Sequence, residues 1–266
     1  MGTWDIISTN WEFVLPPSRP SDIELNRIKY YTNTFSRKEP VAVLGSTIEY
    51  RDLLYSMGFE QVYVFEKNIT FHDDLDTWKV YPCENEVLVE GDWLKTLPKY
   101  SGLFNFCLSD LTMGNIPYEN RREFYSSISN ILKVGGIFFD KVLTNEIPLI
   151  TLQDISKKYQ ALTINLRSVN DFSCEALFCG ELLNKGIIDT TESYTLLREA
   201  FKDDLRLMQF IDKAHLITPE GCVWYYGKPW DLLKLEYFSC FSKSDFFEDI
   251  PLSPYFKRAK HFINYK

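Results

Sequence analysis

The sequence predicts an α/β fold in which helices cover both faces of a mostly parallel sheet. Three observations predict it. Residues 41–68 read as strand, glycine turn, helix, glycine turn and strand. Apolar strand-like segments follow at 86–89, 103–108 and 137–142, and a helical repeat of apolar residues precedes the last of them. Such alternation is typical of a parallel sheet built from right-handed crossovers.

The first unit, VAVLGSTIEYRDLLYSMGFEQVYVFEKN, is the part of the chain around which the other elements are arranged. Residues 41–44 form a short apolar strand, and Thr47 offers a hydroxyl cap to the helix that follows. Gly58 ends that helix, and residues 61–65 return as a β-branched and aromatic strand. Glu66 stands at its carboxyl end, where doubly wound folds bind ribose hydroxyls.

The chain divides into a core and two additions. Residues 41–142 and 229–266 are predicted to form the core, and residues 1–40 an N-terminal helical segment with a capping box at Ser21 and Glu24 and a helix through Phe35. Residues 143–228 are predicted to be a helical insertion that covers the substrate. The remaining helices are predicted at 118–132, 151–159, 172–183, 191–201, 204–214 and 229–238, and a terminal hairpin at 245–250 and 257–265.

Composition excludes several classes of protein. The chain has 266 residues, a formal charge of -8 and a pI near 5.1, which disfavours a surface that tracks nucleic-acid phosphates. It shows neither a secretory signal nor an apolar run of about 20 residues, so we expect a cytoplasmic protein without a membrane partner. The six cysteines form no C-x-x-C pair and the three histidines no ligand spacing, so neither disulfides nor a metal site is expected.

Five ordered motifs resemble those of the class I S-adenosylmethionine-dependent methyltransferases. They are VLGSTIEYRDLL, VYVFEKN, VEGDWL, LFNFCLSDLTMGNIPY and LKVGGIFFDKV, followed by a helix and two strands. The resemblance covers about residues 40–142 and, more loosely, 229–266. It implies a Rossmann-like sheet with an antiparallel terminal strand, S-adenosyl-L-methionine as cofactor and methyl transfer as the reaction.

The resemblance also implies a set of cofactor contacts. The methionine part of the cofactor would lie over the turn of Gly45, Ser46 and Thr47, the ribose on Glu66, the adenine beside Asp92 and Trp93, and the sulfonium near Ser109 and Asp110. A carboxylate can accept two hydroxyl donors, and an indole can cover a ring face.

The first motif departs from the family pattern at three positions. The family has an acidic residue where this chain has Val43, and glycines where it has Thr47 and Glu49. Only Gly45 remains of the three glycines.

Catalytic and substrate residues are predicted from position alone. Asp110 and His215 are the catalytic candidates. The resemblance places Asp110 near the sulfonium, and His215 could act as a general base, although a lone histidine between two apolar residues is more often structural. Asn115, Arg167, Tyr225 and Tyr226 are candidate substrate contacts. Trp224 and Trp230 could line an acceptor pocket or pack in the core.

Three alternatives stand beside O- or N-methylation of a small molecule or peptide. Asn115-Ile116-Pro117-Tyr118 matches the motif with which adenine-N6 methylases of nucleic acids grip an amino group, although here the preceding strand ends several residues earlier. A nicotinamide-dependent dehydrogenase would also use a glycine turn and Glu66, but this chain lacks the G-x-G-x-x-G turn that such an enzyme needs. A methyltransferase-fold protein that binds without catalysis is the third.

Overall fold

The computed structural model describes residues 3–82, 85–144, 150–180, 182, 186–226, 230–247 and 259–266. The sequence-predicted boundaries at Leu183, Pro229, Ile250 and Lys257 lie outside these residues, as do Cys83 and the side chain of Trp230. No helix within this part of the chain combines the length and the apolarity that a bilayer span requires.

Nine strands lie among the described residues, and seven of them form one sheet in the order β3-β2-β1-β4-β5-β9-β8. The first five strands are parallel, while β9 is antiparallel to both β5 and β8. This confirms the predicted parallel sheet with an antiparallel terminal hairpin. The strands are β1 Val41–Leu44, β2 Val62–Glu66, β3 Glu86–Glu90, β4 Phe104–Asp110, β5 Leu132–Leu143, β6 Ile187–Asp189, β7 Val223–Tyr225, β8 Lys243–Phe247 and β9 Ala259–Tyr265.

Helices flank the sheet on both faces and form most of the region between β5 and β8. The helices are α1 Thr3–Thr9, α2 Asp22–Thr32, α3 Ile48–Ser56, α4 Ile69–Asp76, α5 Trp93–Thr96, α6 Arg121–Ile131, α7 Leu152–Ala161, α8 Leu166–Leu177, α9 Thr190–Ala200, α10 Leu205–Ala214 and α11 Trp230–Phe238. Short 3-10 turns lie at Trp11–Phe13, Leu97–Tyr100, Thr112–Asn115 and Tyr118–Asn120.

The two faces of the sheet have separate cores because side chains alternate along each strand. Val43 and Leu108 pack with Tyr50 of α3 on one face. Cys107 and Phe138 pack with helices α6 and α11 on the other. Strand β1 is buried on both faces, which explains its wholly apolar sequence VAVL, and β4 is buried from Phe104 to Ser109. The chain order reverses between β1 and β4, and doubly wound sheets bind ligands beyond the carboxyl ends of the strands at such a point.

Several local predictions are confirmed. The Ser21 side chain accepts from the backbone N–H of Glu24, and the Glu24 side chain accepts from Ser21, which completes the capping box. Helix α2 ends at Thr32 rather than at Phe35. Gly58 follows α3 with a φ of 80°, a left-handed conformation that glycine adopts without a steric penalty.

Other local predictions are wrong. The Thr47 hydroxyl does not cap α3; it contacts Asp110 of β4 instead. The insertion is not purely helical, because β6 and β7 form a two-stranded antiparallel ribbon. The helix predicted to begin at residue 172 begins at Leu166 instead, so Arg167 lies inside α8. A capping box between Asn165 and Ser168 fixes this start.

Candidate active site

A cavity of about 900 Å³ lies beyond the carboxyl ends of β1, β2, β3 and β4. Two groups of residues line it. The sheet wall comes from the strand ends and the loops after them: Gly45, Ser46, Thr47, Glu66, Lys67, Asn68, Glu90, Asp92, Trp93, Asp110 and Asn115. The outer wall comes from the N-terminal segment and the insertion: Trp4, Ile7, Trp11, Val14, Ser18, Cys174, Leu177, Phe178, Ile217, Thr218, Trp224 and Tyr226.

The Gly45 turn leaves the backbone open to this cavity. Gly45 has a φ of 84°, and a Cβ built there would meet no heavy atom within 4 Å. A side chain other than glycine would be strained at this φ and would occupy the open space. Ligand atoms can therefore approach the backbone of the turn closely.

Glu66 is held at the end of β2 by hydrogen bonds to both carboxylate oxygens. Its Oε1 accepts from the backbone N–H groups of Lys67 and Asn68, each at 2.8 Å, and its Oε2 accepts from the Ser46 hydroxyl at 3.2 Å. Burial raises the pKa of Glu66, whereas these hydrogen bonds lower it. The carboxylate is fixed in orientation and keeps lone pairs for further donors.

Asp92 and Trp93 are fixed next to Glu66. The Asp92 carboxylate accepts from the backbone N–H of Leu94 at 2.9 Å and so caps the short helix α5. The Trp93 indole N–H donates to the Phe65 carbonyl at 2.7 Å, which holds the indole at the cavity. An acidic group and an aromatic group therefore lie side by side at the end of β3.

Asp110 connects the cavity to a buried charge network. Its Oδ1 lies 2.6 Å from the Lys141 ammonium, which also donates to Glu24 at 3.2 Å, and the Glu24 carboxylate accepts from the Tyr50 hydroxyl. Thr47 contacts the other Asp110 oxygen at 3.4 Å. Burial raises the pKa of Asp110 to about 7; Lys141 opposes this rise and the second carboxylate of Glu24 adds to it.

The sheet wall is acidic. Four carboxylates and one ammonium line it, those of Glu66, Glu90, Asp92, Asp110 and Lys67, and Lys141 behind the wall pairs with Asp110. Such a wall favours a ligand with a positive charge near the strand ends and disfavours phosphate groups.

No protein-family model matches the sequence, and no curated protein matches it. Solved structures match the fold. A Rhodobacter sphaeroides protein described as a putative zinc-dependent alcohol dehydrogenase has a TM-score of 0.59 at 15% identity, over 99% of this chain and 97% of its own. A Methanosarcina mazei S-adenosylmethionine-dependent methyltransferase has a TM-score of 0.55 at 10% identity, over 93% of this chain and 98% of its own. The carbon methyltransferase CurJ has a TM-score of 0.53 at 8% identity, over 91% of this chain and 53% of its own.

The chain has a class I methyltransferase-like fold. Within this fold, seven of the eight predicted cofactor residues line the cavity, and Ser109 does not. Ser109 is fully buried and pairs with Asp140 across β4 and β5. Neighbouring residues of a strand face opposite sides of the sheet, so only Asp110 of the pair turns toward the cavity.

The glycine missing at position 49 of the methyltransferase-like motif has a structural explanation. Glu49 lies in α3, where its Oε1 accepts from the Trp11 indole at 3.0 Å and pairs with Arg19 at 2.6 Å. Burial raises the pKa of Glu49, and the charge of Arg19 lowers it. Glu49 thus attaches the N-terminal segment to the first helix of the fold.

Two of the four predicted substrate residues line the cavity. Asn115 ends the 3-10 turn after β4, and no hydrogen bond among the described residues engages its side chain. Tyr226 packs its ring on Gly114, where an added Cβ would lie 2.1 Å from the ring, and its hydroxyl donates to the Leu111 carbonyl at 3.1 Å. This close approach explains the glycine at position 114.

Three other predicted residues lie outside the cavity lining, and a tertiary contact accounts for each. Arg167 binds Asp171 and the Pro16 carbonyl. Tyr225 is in the β6-β7 ribbon, where Arg121 donates to its carbonyl. His215 follows α10, with its ring 5.4 Å from that of Tyr194.

Most residues of the outer wall were not among the residues predicted from the sequence. Trp4, Ile7 and Trp11 recur at helical spacing, which is the signal that could have assigned them to one face of a segment. The N-terminal segment is joined to α8 by Asn170, whose side chain accepts from the Leu15 N–H at 3.0 Å and donates to the Phe13 carbonyl at 2.8 Å. Contacts of this range cannot be read from local sequence.

One group of possible metal ligands occurs among the described residues. Ligand atoms of His72, Asp76 and Glu86 lie within 4.8 Å of one another. Arg51, which is fully buried, pairs with both carboxylates, and Lys79 lies 2.9 Å from Asp76. These two cations neutralise the carboxylates and disfavour a metal ion between them.

Proposed function

We propose that this chain is a class I methyltransferase that binds S-adenosyl-L-methionine and methylates oxygen or nitrogen of a small-molecule or peptide acceptor in the cytoplasm. The acidic sheet wall around the open Gly45 turn carries the proposal. A wall with four carboxylates and one lysine attracts a cationic methyl donor electrostatically. The cavity of about 900 Å³ lies within the size range of small-molecule and cofactor sites, about 300 to 1,000 Å³.

The residues present fit the parts of this cofactor. Gly45 offers backbone without a Cβ, and Ser46 and Thr47 add hydroxyls in the same turn. Glu66 would accept from the ribose hydroxyls, for which its fixed carboxylate is suited. Asp92 and Trp93 would contact the adenine at its edge and face.

When bound, S-adenosyl-L-methionine would supply an electrophilic methyl group: an acceptor atom bonds to the methyl carbon in line with the breaking carbon–sulfur bond, and the thioether S-adenosylhomocysteine is the leaving group. Asp110 would stabilise positive charge at this point of the sheet wall and, with a pKa of about 7, could take the proton that the acceptor releases. Lys141 and Thr47 hold its two oxygens. The outer wall, which we assign to a substrate cap formed by residues 1–40 and 143–228, would exclude water and align the acceptor.

A nicotinamide-dependent dehydrogenase is the first competing function, because such an enzyme would also use a glycine turn and Glu66. One structural neighbour is described as a putative zinc-dependent alcohol dehydrogenase. Two observations disfavour the dehydrogenase function. The pyrophosphate of a dinucleotide would meet the acidic sheet wall without a glycine-rich turn to bind it. The candidate metal ligands His72, Asp76 and Glu86 are outside the cavity lining and are paired with Arg51 and Lys79.

Methylation of a nucleic-acid adenine is disfavoured by Tyr118. The Tyr118 hydroxyl donates to the Gly186 carbonyl at 2.8 Å, and the Arg121 guanidinium lies 4.4 Å from the ring centre. Tyr118 is therefore held outside the cavity lining while Asn115 and Pro117 are part of it. A base flipped into the cavity would therefore lack the Tyr118 ring as a stacking partner.

Calorimetric titration with S-adenosylmethionine, S-adenosylhomocysteine and NAD tests the proposal. We expect the first two to bind and Glu66→Gln to weaken binding by about 10-fold or more, since hydrogen bonds to a charged group contribute about 1.5–3 kcal/mol. Glu60→Gln is the matched control, because Glu60 is exposed before β2. Binding of NAD alone, or an unchanged affinity in Glu66→Gln, would contradict the proposal.

Turnover separates an enzyme from a binding protein of the same fold. The protein is incubated with S-adenosylmethionine and a cell extract, and mass spectrometry detects products heavier by one methylene unit. We expect such products with the wild type and fewer with Glu66→Gln. Cofactor binding without any product across extracts would favour the non-catalytic alternative.

A further inference from the structure

The two walls of the cavity differ in charge. The sheet wall carries four carboxylates and one ammonium, whereas none of the outer-wall side chains carries a formal charge. An anionic or cationic part of a ligand placed against the outer wall would lose its hydration without gaining a charged partner. The outer wall therefore discriminates against charged ligands.

Aromatic rings line the outer wall from both chain segments that form it. On the N-terminal side, the rings of Trp4 and Trp11 lie 5.3 and 6.4 Å from that of Phe71, edge to face. On the insertion side, the Phe178 ring lies 5.9 Å and the Trp224 ring 6.3 Å from that of Tyr226. These packed rings favour flat apolar ligands.

Several polar atoms of the outer wall are already engaged within the protein. The Trp11 indole donates to Glu49, and the Tyr226 hydroxyl donates to the Leu111 carbonyl. Thr218 accepts from Ser173 at 2.8 Å. A peptide backbone has many N–H and C=O groups that need partners, and this wall offers it few.

We infer that the acceptor is a neutral, largely aromatic small molecule with one nucleophilic hydroxyl or amine. Its rings lie against the outer wall, and its nucleophile faces Asp110 and Asn115 on the sheet wall. This inference rests on the proposed function for the reaction, but its binding part can be measured separately.

Two probes with one ring system test the inference: the neutral 2-naphthol and the anionic 2-naphthoate. Each is titrated calorimetrically into the protein with and without saturating S-adenosylhomocysteine. We expect 2-naphthol to bind at least about 10-fold more tightly than 2-naphthoate. Equal affinities, or tighter binding of 2-naphthoate, would overturn the inference.

Tryptophan variants test whether 2-naphthol binds at the outer wall. We expect Trp224→Ala and Trp4→Ala each to weaken 2-naphthol binding by about 10-fold. Trp78→Ala is the matched control, because Trp78 follows α4, is 37% exposed and lies outside the cavity lining. Trp224→Phe, which keeps a ring, tests the site if Trp224→Ala does not fold. An equal loss in Trp78→Ala, or no loss in the outer-wall variants, would contradict the assignment.

The same titrations separate failure of this inference from failure of the proposed function. If S-adenosylhomocysteine binds and 2-naphthol does not, the acceptor class is wrong and the cofactor assignment stands. If 2-naphthol binds and neither S-adenosylmethionine nor its product does, the proposed function is wrong and the ligand class of the outer wall stands.

Discussion

Gly45 and Gly58 make the role of a single residue measurable. Both have a left-handed φ, 84° and 80°, and at both an added Cβ would meet no atom within 4 Å. They differ in place, because Gly45 lines the cavity and Gly58 ends α3 outside it. If the same substitution changes ligand affinity at Gly45 and not at Gly58, the change is therefore caused by the cavity and not by backbone strain.

We predict that Gly45→Ala and Gly58→Ala each lower the free energy of unfolding by about 1 kcal/mol, the penalty for a left-handed alanine. Only Gly45→Ala should also weaken S-adenosylmethionine binding, by about 10-fold, because its methyl group enters the space of the ligand. Urea unfolding and calorimetry measure the two effects. An equal change in affinity for both variants would contradict a role of the Gly45 turn in binding.

Cavity residues could be predicted from the sequence where their position follows from the order of strands and loops. They could not be predicted where strand register or a tertiary contact decides their position. Glu66 ends β2 and Asp92 lies two residues after β3, and the parallel sheet brings the ends of its strands together. Ser109 does not line the cavity, because a shift of one position along a strand reverses the face of the sheet. His215 does not line it either, because its place depends on how α10 packs.

At the scale of elements, the N-terminal segment and α8 act together through Asn170. The Asn170 amide bonds two backbone groups of the segment, and Arg167 donates to a third at Pro16. Ser8 of α1 donates to Asp74 of α4 at 2.7 Å. The segment is thus fixed to the insertion at one side and to the sheet layer at the other.

We predict that Asn170→Ala lowers the free energy of unfolding by about 1–3 kcal/mol, because it leaves the Leu15 N–H and the Phe13 carbonyl without their partner. Proteolytic cleavage before residue 20 should become faster. Urea unfolding and timed digestion measure both effects. Asn26→Ala is the control, since Asn26 is exposed on α2. Equal behaviour of the two variants would show that the contact does not hold the segment.

For the whole molecule, stability depends on pH through buried carboxyl groups. Asp140 lies on the face of the sheet opposite Asp110 and accepts from the Tyr237 hydroxyl at 2.6 Å. Burial raises the pKa of Asp140 from 3.8 to about 7, and the Tyr237 hydrogen bond only partly opposes it. The folded protein therefore keeps this proton over a range in which the unfolded chain has lost it.

We predict that the free energy of unfolding of the wild type, relative to Asp140→Asn, falls by about 1.4 kcal/mol per pH unit between about pH 4 and pH 7. The sign follows because the folded state binds more protons there. The stabilisation is complete below the pKa of the unfolded chain and is lost as the pH rises through the folded pKa. Urea titrations across this range measure it, and a constant difference would contradict the burial effect.

The topology was the most predictable property at this scale. Five parallel strands follow from the alternation of apolar segments with helices, and a terminal hairpin from the last two β-rich segments. The β6-β7 ribbon could not be predicted, because its strands are separated by α9 and α10 and each has only three residues. Pairing over such a distance depends on the packing of the intervening helices.

The two walls of the cavity come from separate stretches of the chain, and this separation bears on how the protein can diverge. Residues 45–115 supply the sheet wall, and residues 4–18 and 174–226 the outer wall. Substitutions at distant sites without shared partners have nearly additive effects. Trp11 and Tyr226 do share partners with the inner stretch, because they bond to Glu49 and Leu111. Under the proposed function, mutations elsewhere in the outer stretches would therefore change the choice of acceptor over generations, while the strand ends continue to bind the proposed cofactor.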